Sequence, residues 1–122
     1  MGRIVHFEIP ADNADRLVEF YKKTFGWNIT KWGDIDYWMV DTIRLTDSSN
    51  FSGINGAITK RQEPVQTVVN TIEIDDIHQT ISAINQNGGK VISEIMDIPD
   101  VGKVAYFKDP DGNTFGIIQG IK

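Results

Sequence analysis

Hydrophobic and polar positions alternate with two different periods in the first half of the chain. From Arg3 to Ile9 they alternate singly, which is the period of a strand with two unlike faces. After an N-cap at Asp12 or Asn13, apolar residues recur every three or four positions until Gly26, which predicts an amphipathic helix that ends at this glycine. Alternation then resumes, and the further strands are predicted at Trp27–Trp32, Ile35–Leu45 and Ile54–Lys60.

The second half repeats this pattern about 65 residues later. Phe7-Glu8-Ile9 is matched by Ile72-Glu73-Ile74, and the helix end at Gly26 is matched by Gly89. The repeat predicts eight strands and two helices, in modules of residues 1–60 and 67–122 that are joined by a linker at 61–66. The elements predicted for the second module are a strand at Thr67–Ile74, a helix that starts at Asp75 or Asp76, and strands at Lys90–Ile98, Lys103–Lys108 and Thr114–Gly120.

Composition narrows the class of protein and of partner. A chain of 122 residues with 40% hydrophobic and 24% charged residues fits one globular domain built from two small modules. Its net charge of -5 and the lack of a basic patch argue against nucleic acid and anionic lipid as partners. Because the first ten residues lack the apolar run of a signal peptide and no later run is long enough to span a membrane, we expect a cytoplasmic protein with no membrane partner.

The order of these elements, together with several short motifs, resembles the vicinal oxygen chelate superfamily, which groups glyoxalases, bleomycin-resistance proteins and extradiol dioxygenases. The resemblance implies an α+β fold in which two tandem βαβββ modules form one cupped mixed sheet. It also implies a small organic ligand in the cup between the modules, and a homodimer. The motifs are His6-Phe7-Glu8-Ile9-Pro10-Ala11-Asp12, Phe20-Tyr21, Phe25-Gly26-Trp27, Ile74-Asp75-Asp76-Ile77, Asn87-Gly88-Gly89 and Asp109-Pro110-Asp111-Gly112-Asn113.

The metal-dependent members of that superfamily hold a divalent ion with a His or Gln and a Glu from each module. The resemblance places these four positions near Ile4, Gly56, Val69 and Gly116, none of which has a side chain that can ligate. We therefore expect a protein that binds its ligand without a metal or another cofactor. The alternative is a metal-dependent glyoxalase-like lyase or dioxygenase. If the protein is an enzyme, the resemblance points to a lyase or isomerase related to lactoylglutathione lyase.

His6 and Glu8 are the first candidates for ligand binding. They lie two residues apart and therefore on one face of the predicted strand. An imidazole in the cup can act as acid, base or hydrogen-bond donor near neutral pH. The competing interpretation is a partly buried histidine that Glu8 holds in place for structural reasons. No catalytic residue is assigned.

Three further residues complete the predicted ligand-binding set. Thr71 and Glu73 occupy the positions of the second module that match His6 and Glu8. Trp38 is predicted to face the cup together with Val40, where its indole ring would stack on a planar or cationic ligand. A core position for Trp38, and a strand-end or ion-pair role for the two glutamates, are the competing interpretations.

Overall fold

A computed structural model describes residues 2–43, 53–63 and 66–120. The chain forms two compact units. The first is His6–Val68, and the second is Val69–Lys122 together with Met1–Val5. Within the described residues the elements are β1 (Ile4–Ala11), α1 (Ala14–Phe25), β2 (Asn28–Lys31), β3 (Tyr37–Asp41), β4 (Asn55–Lys60), β5 (Val69–Glu73), α2 (Ile77–Gln86), β6 (Lys90–Val91), β7 (Met96–Ile98), β8 (Gly102–Lys108) and β9 (Thr114–Gly120).

The first unit is a four-stranded mixed sheet in the order β2-β3-β4-β1, with α1 against one face. Strands β1 and β4 are parallel, whereas β3 runs antiparallel to both β2 and β4. The core between sheet and helix is centred on Ala11, Ile29, Val40 and Ile58. Leu17, Val18 and Tyr21 of α1 pack against it, as the helical period in the sequence predicts.

Local chemistry fixes both ends of α1. The Asn13 side chain accepts a hydrogen bond from the Arg16 backbone N–H at 3.1 Å, so Asn13 is the N-cap. Gly26 adopts φ 72°, a left-handed conformation that lets its N–H donate to the Lys22 carbonyl and end the helix.

The second unit repeats the arrangement. Strands β5 and β9 are parallel, β9 pairs antiparallel with β8, and β8 pairs with both β6 and β7. Helix α2 begins at the N-cap Asp76, whose side chain accepts from the N–H groups of His78 and Gln79, and Ile77, Ala105 and Ile117 form the core. The predicted α+β class is confirmed. The first unit has the predicted β-α-β-β-β order, whereas four described strands follow the helix in the second unit.

Two predicted strands are wrong in their extent. The strand predicted at Lys90–Ile98 is split into β6 and β7, because the Ser93 hydroxyl replaces a carbonyl as the acceptor for the Tyr106 N–H at 2.8 Å. The strand predicted at Ile35–Leu45 begins only at Tyr37. Ile35 lies in a turn, where its backbone N–H donates to the Trp32 carbonyl. The predicted end of this strand at Leu45 lies outside the described residues.

Candidate functional site

The face of the first sheet that points away from α1 carries mostly polar and aromatic side chains. Cross-strand partners point to the same side of a sheet, so the strand register identifies the members of this face. His6 is paired with Asn55, Glu8 with Ala57, Met39 with Ala57, and Thr30 with Met39. We call this the polar face, and its members include His6, Glu8, Asn28, Thr30, Trp32, Tyr37, Met39, Asp41, Asn55, Ala57 and Thr59.

Part of the polar face is concave. It forms a groove of about 530 Å³ whose lining includes His6 at one side and Tyr37 at the other. Trp32 stands at its edge with 51% of its surface exposed and meets Tyr37 edge to face, with 5.5 Å between ring centroids. A groove with aromatic walls and a few polar groups has the composition of a small-molecule site.

His6, Glu8 and Tyr37 influence one another electrostatically. Burial lowers the pKa of the His6 imidazole, and the Glu8 carboxylate opposes that shift without cancelling it. Burial raises the pKa of the Tyr37 phenol, and Glu8 raises it further. At neutral pH the groove therefore presents a neutral imidazole, which can accept or donate a hydrogen bond, and a protonated phenol.

The orientation predicted for Trp38 and Val40 is wrong. In the β3–β4 register Trp38 lies opposite Ile58, so alternation places it on the face that packs against α1. Trp38 packs against the core cluster that contains Val40 and Ile58, and the Lys31 ammonium lies 5.4 Å from its ring centroid. Tyr37 and Met39, on either side of Trp38, take the places on the polar face.

Thr71 and Glu73 belong to the second unit. Thr71 is 5% exposed and lies opposite Gly116 of β9. Glu73 pairs with Arg3 at 3.3 Å, and both side chains are largely exposed. Such a surface pair contributes at most about 1 kcal/mol to stability. For Glu73 the structure therefore matches the ion-pair interpretation. Ligand binding by Glu73 and by Thr71 stays a prediction.

The residues at the superfamily's metal positions do not fit a four-ligand site. A Cβ at Gly116 would lie 3.0 Å from the Thr71 hydroxyl and 3.3 Å from the Tyr106 ring. A Cβ at Gly56 would lie 2.3 Å from the Phe7 carbonyl, on the face that packs against α1, so the predicted position is also on the wrong side of β4. The described residues contain no group of three or more His, Cys, Asp or Glu placed to hold a metal.

Sequence reasoning missed most of the groove. Asn28, Thr30, Asp41 and Asn55 line it beside His6, although none of them was singled out. Their alternation within β2, β3 and β4 is visible in the sequence. The register between the four strands cannot be seen in the sequence, because it is set by pairing between distant segments.

Comparison with known proteins identifies the class. Residues 3–117 match the Glyoxalase/Bleomycin resistance protein/Dioxygenase superfamily, so the chain belongs to that superfamily and the resemblance seen in the sequence is confirmed. A glyoxylase-like domain-containing protein of Didymella fabae is 33% identical over 95% of this chain and 92% of its own length. Lactoylglutathione lyase GLX1 of Arabidopsis thaliana is 27% identical over 96% of this chain, which spans only 44% of that enzyme.

A solved structure confirms the fold. The superfamily member from Vibrio splendidus superposes with a TM-score of 0.65 over 99% of this chain and 100% of its own, at 16% identity. Neither helix of the described residues has the length and apolar character that a membrane span requires.

Proposed function

We propose that this protein binds a small organic molecule in the groove of its first unit, without a metal ion. The observation that carries the proposal is the position of His6: partly buried and neutral, it lies at the side of a concave surface whose other walls are polar and aromatic. The exposed Trp32 and the Tyr37 ring supply contact area, and His6 supplies directional hydrogen bonding. Glu8, on the same face of β1, is the second polar anchor.

Thermal-shift measurements with a metabolite library test this proposal. In the presence of EDTA, at least one compound should raise the melting temperature of the wild-type protein. His6→Ala should weaken the binding of that compound by about 1 to 3 kcal/mol, the cost of leaving a desolvated polar group unpaired. His78→Ala is the matched control, since His78 is exposed on α2. Equal binding by both variants, or no stabilising compound in the whole library, would contradict the proposal.

The metal-dependent alternative predicts a different result. A glyoxalase-like lyase or dioxygenase that needs a metal would retain stoichiometric Ni, Zn, Fe or Mn through dialysis. The residues at the four expected ligand positions favour the metal-free proposal, because none has a side chain with a nitrogen or oxygen ligand: Ile4, Gly56, Val69 and Gly116. Elemental analysis of the dialysed protein separates the two, and a stoichiometric metal content would overturn the metal-free part of the proposal.

We also propose that the protein acts as a cytoplasmic homodimer. The lack of cysteine is consistent with a reducing compartment, and β7 pairs only with β8 among the described strands, which leaves an edge that a second chain can cover. Light scattering at micromolar concentration should give the mass of two chains. A monomer mass would contradict the dimer and leave the groove proposal intact.

A further inference from the structure

The polar face of the first unit is graded from one end to the other. At one end His6, Asn55, Asp41 and Asn28 lie side by side on four adjacent strands, since His6 is paired with Asn55 and Asn28 with Asp41. At the other end Tyr37 and Trp32 are neighbours, and the row between the two ends holds Glu8, Ala57, Met39 and Thr30. The face therefore has a polar end and an aromatic end.

The charge at the polar end is negative. Asp41 is the only formally charged residue among the described groove-lining residues at neutral pH, because the pKa of His6 is lowered by burial. The Ile43 N–H donates to one oxygen of the Asp41 carboxylate at 3.0 Å, which fixes the direction of this side chain. No described residue that lines the groove is Lys or Arg, so among these residues an anionic ligand would meet the Asp41 carboxylate and no cation.

The amide groups at this end are suited to a polar headgroup. The Asn55 side-chain oxygen accepts from the Thr42 N–H at 2.9 Å, so the NH₂ group of Asn55 is the part left to contact a ligand. Together with Asn28 and His6 it surrounds Asp41 with neutral hydrogen-bonding groups. A protonated nitrogen only donates hydrogen bonds, so here it would donate to the Asp41 carboxylate and to acceptors on the neutral His6 ring or the Asn28 side-chain oxygen. The Asn55 NH₂ is itself a donor and forms no hydrogen bond with this group.

The aromatic end is suited to a flat ring. Trp32 and Tyr37 meet edge to face, and Trp32 is half exposed, so a ligand ring can pack against the indole and the Met39 side chain. Asp41 and Met39 are two residues apart on β3, which separates the polar end from the middle of the groove by about 7 Å. Tyr37 is four residues from Asp41, about 13 Å along the strand. A ligand with its amine at Asp41 and a linker of about four atoms therefore places its ring over Met39, with the far edge of the ring toward Tyr37 and Trp32.

From this gradient we infer that the groove takes an arylalkylamine, a protonated amine joined by a short chain to a planar ring, with the amine at Asp41 and the ring at Met39, Tyr37 and Trp32. The inference rests on the proposed function, because it names the ligand class of the same groove. It implies a preference for cations over anions of equal size and a preference for ligands that carry a ring.

Three probes of similar shape and different charge test the inference. Phenylbutylamine is a cation, phenylbutanol is neutral and phenylbutyrate is an anion at neutral pH. Dissociation constants from NMR titrations at low salt should rank them in that order, with the amine at least tenfold tighter than the carboxylate. Added salt should weaken the binding of the amine and leave that of the alcohol unchanged.

Two variants locate the charge and the ring. Asp41→Asn keeps the shape of the side chain and removes its charge. It should weaken the binding of phenylbutylamine about three- to tenfold and leave the binding of phenylbutanol unaffected. Asp75→Asn is the matched control, since it makes the same change in net charge at an exposed position of the second unit. Trp32→Ala should weaken the binding of phenylbutylamine and of phenylbutanol alike, by about fivefold.

The outcomes separate this inference from the proposed function. If phenylbutyrate binds the groove as tightly as the amine, or if Asp41→Asn behaves like Asp75→Asn, the arylalkylamine inference is overturned and the groove proposal stands. The same holds if the three probes leave the groove resonances unchanged while another library compound shifts them. If no probe and no library compound shifts those resonances, both are overturned.

Discussion

His6 is the residue on which the functional and structural interpretations differ most. Its imidazole is partly buried on the polar face, and burial lowers its pKa in spite of the nearby Glu8 carboxylate. A histidine held neutral in the fold takes up a proton more readily in the unfolded chain. The side chain is therefore suited to ligand binding near neutral pH and makes the fold sensitive to acid.

The pH dependence of stability should show this directly. The His6 contribution is fully present above the unfolded pKa of about 6.5 and is lost as the pH falls through and below that value, because the unfolded state then binds more protons. In denaturant titrations between pH 7.5 and pH 5.5, wild type and the His78→Ala control should lose more unfolding free energy than His6→Ala. Parallel pH profiles for all three proteins would show that His6 titrates alike in the folded and unfolded chain.

The surroundings of Gly116 leave little room for a side chain at this expected metal position. An added Cβ would lie 3.0 Å from the Thr71 hydroxyl and 3.3 Å from the Tyr106 ring, closer than ordinary contact. We expect Gly116→Ala to lower the free energy of unfolding by about 1 to 3 kcal/mol through overpacking. Gly120→Ala is the control, because nothing lies within 4 Å of its Cβ position and both residues are on β9. Equal stability of the two variants in urea would mean that Gly116 has room for a side chain.

The secondary-structure elements show which parts of the fold depend on local sequence. The sequence predicts the helix starts to within one residue, at Asp12 or Asn13 and at Asp75 or Asp76, and the first helix end at Gly26, because capping is decided by a few neighbouring residues. The structure selects Asn13 and Asp76. The split of the strand predicted at Lys90–Ile98 was missed, because it depends on a hydrogen bond between Ser93 and Tyr106, which are far apart in sequence. Cap positions were therefore predictable, and strand interruptions were not.

The helix cap at Asn13 gives a prediction for α1. Replacing Asn13 with Ala removes the acceptor for the Arg16 N–H and should destabilise the protein by about 1 kcal/mol. Asn13→Asp retains an acceptor oxygen and should be close to wild type. Denaturant midpoints measure both, and a midpoint for Asn13→Ala equal to that of Asn13→Asp would contradict the assignment of Asn13 as the cap.

The turn between β8 and β9 gives a second prediction for an element. Asn113 donates to the Asp109 carboxylate from its side chain and its backbone, and these hydrogen bonds lower the pKa of Asp109. The stabilisation they give is present above the unfolded pKa of about 3.8 and is lost as the pH falls through the lower folded value. Carbon-detected NMR titration of Asn113→Ala should show a higher pKa for Asp109 than in wild type. Asn28→Ala, in the other unit, should leave it unchanged.

For the whole molecule, the internal repeat made the fold class predictable. Two stretches with the same order of strand, helix, glycine and strands predicted two similar units, and each unit has that order in the structure. The groove was less predictable. His6 is predicted from its residue type and its place in an alternating strand. Trp38 is predicted on the wrong face, and Asp41 and Asn55 are not predicted, because their placement depends on the pairing of β1, β3 and β4.

Backbone NMR during a fragment screen, with EDTA present, tests the central claim most directly, because it reports where a small molecule binds. The groove account predicts that the fragments that bind shift the amide signals of His6, Asn28, Trp32 and Asp41. It also predicts that these shifts are lost or much reduced in His6→Ala and retained in His78→Ala. Binding fragments that shift signals around Asp97 and Lys103 in the second unit and leave the groove unchanged would contradict the account.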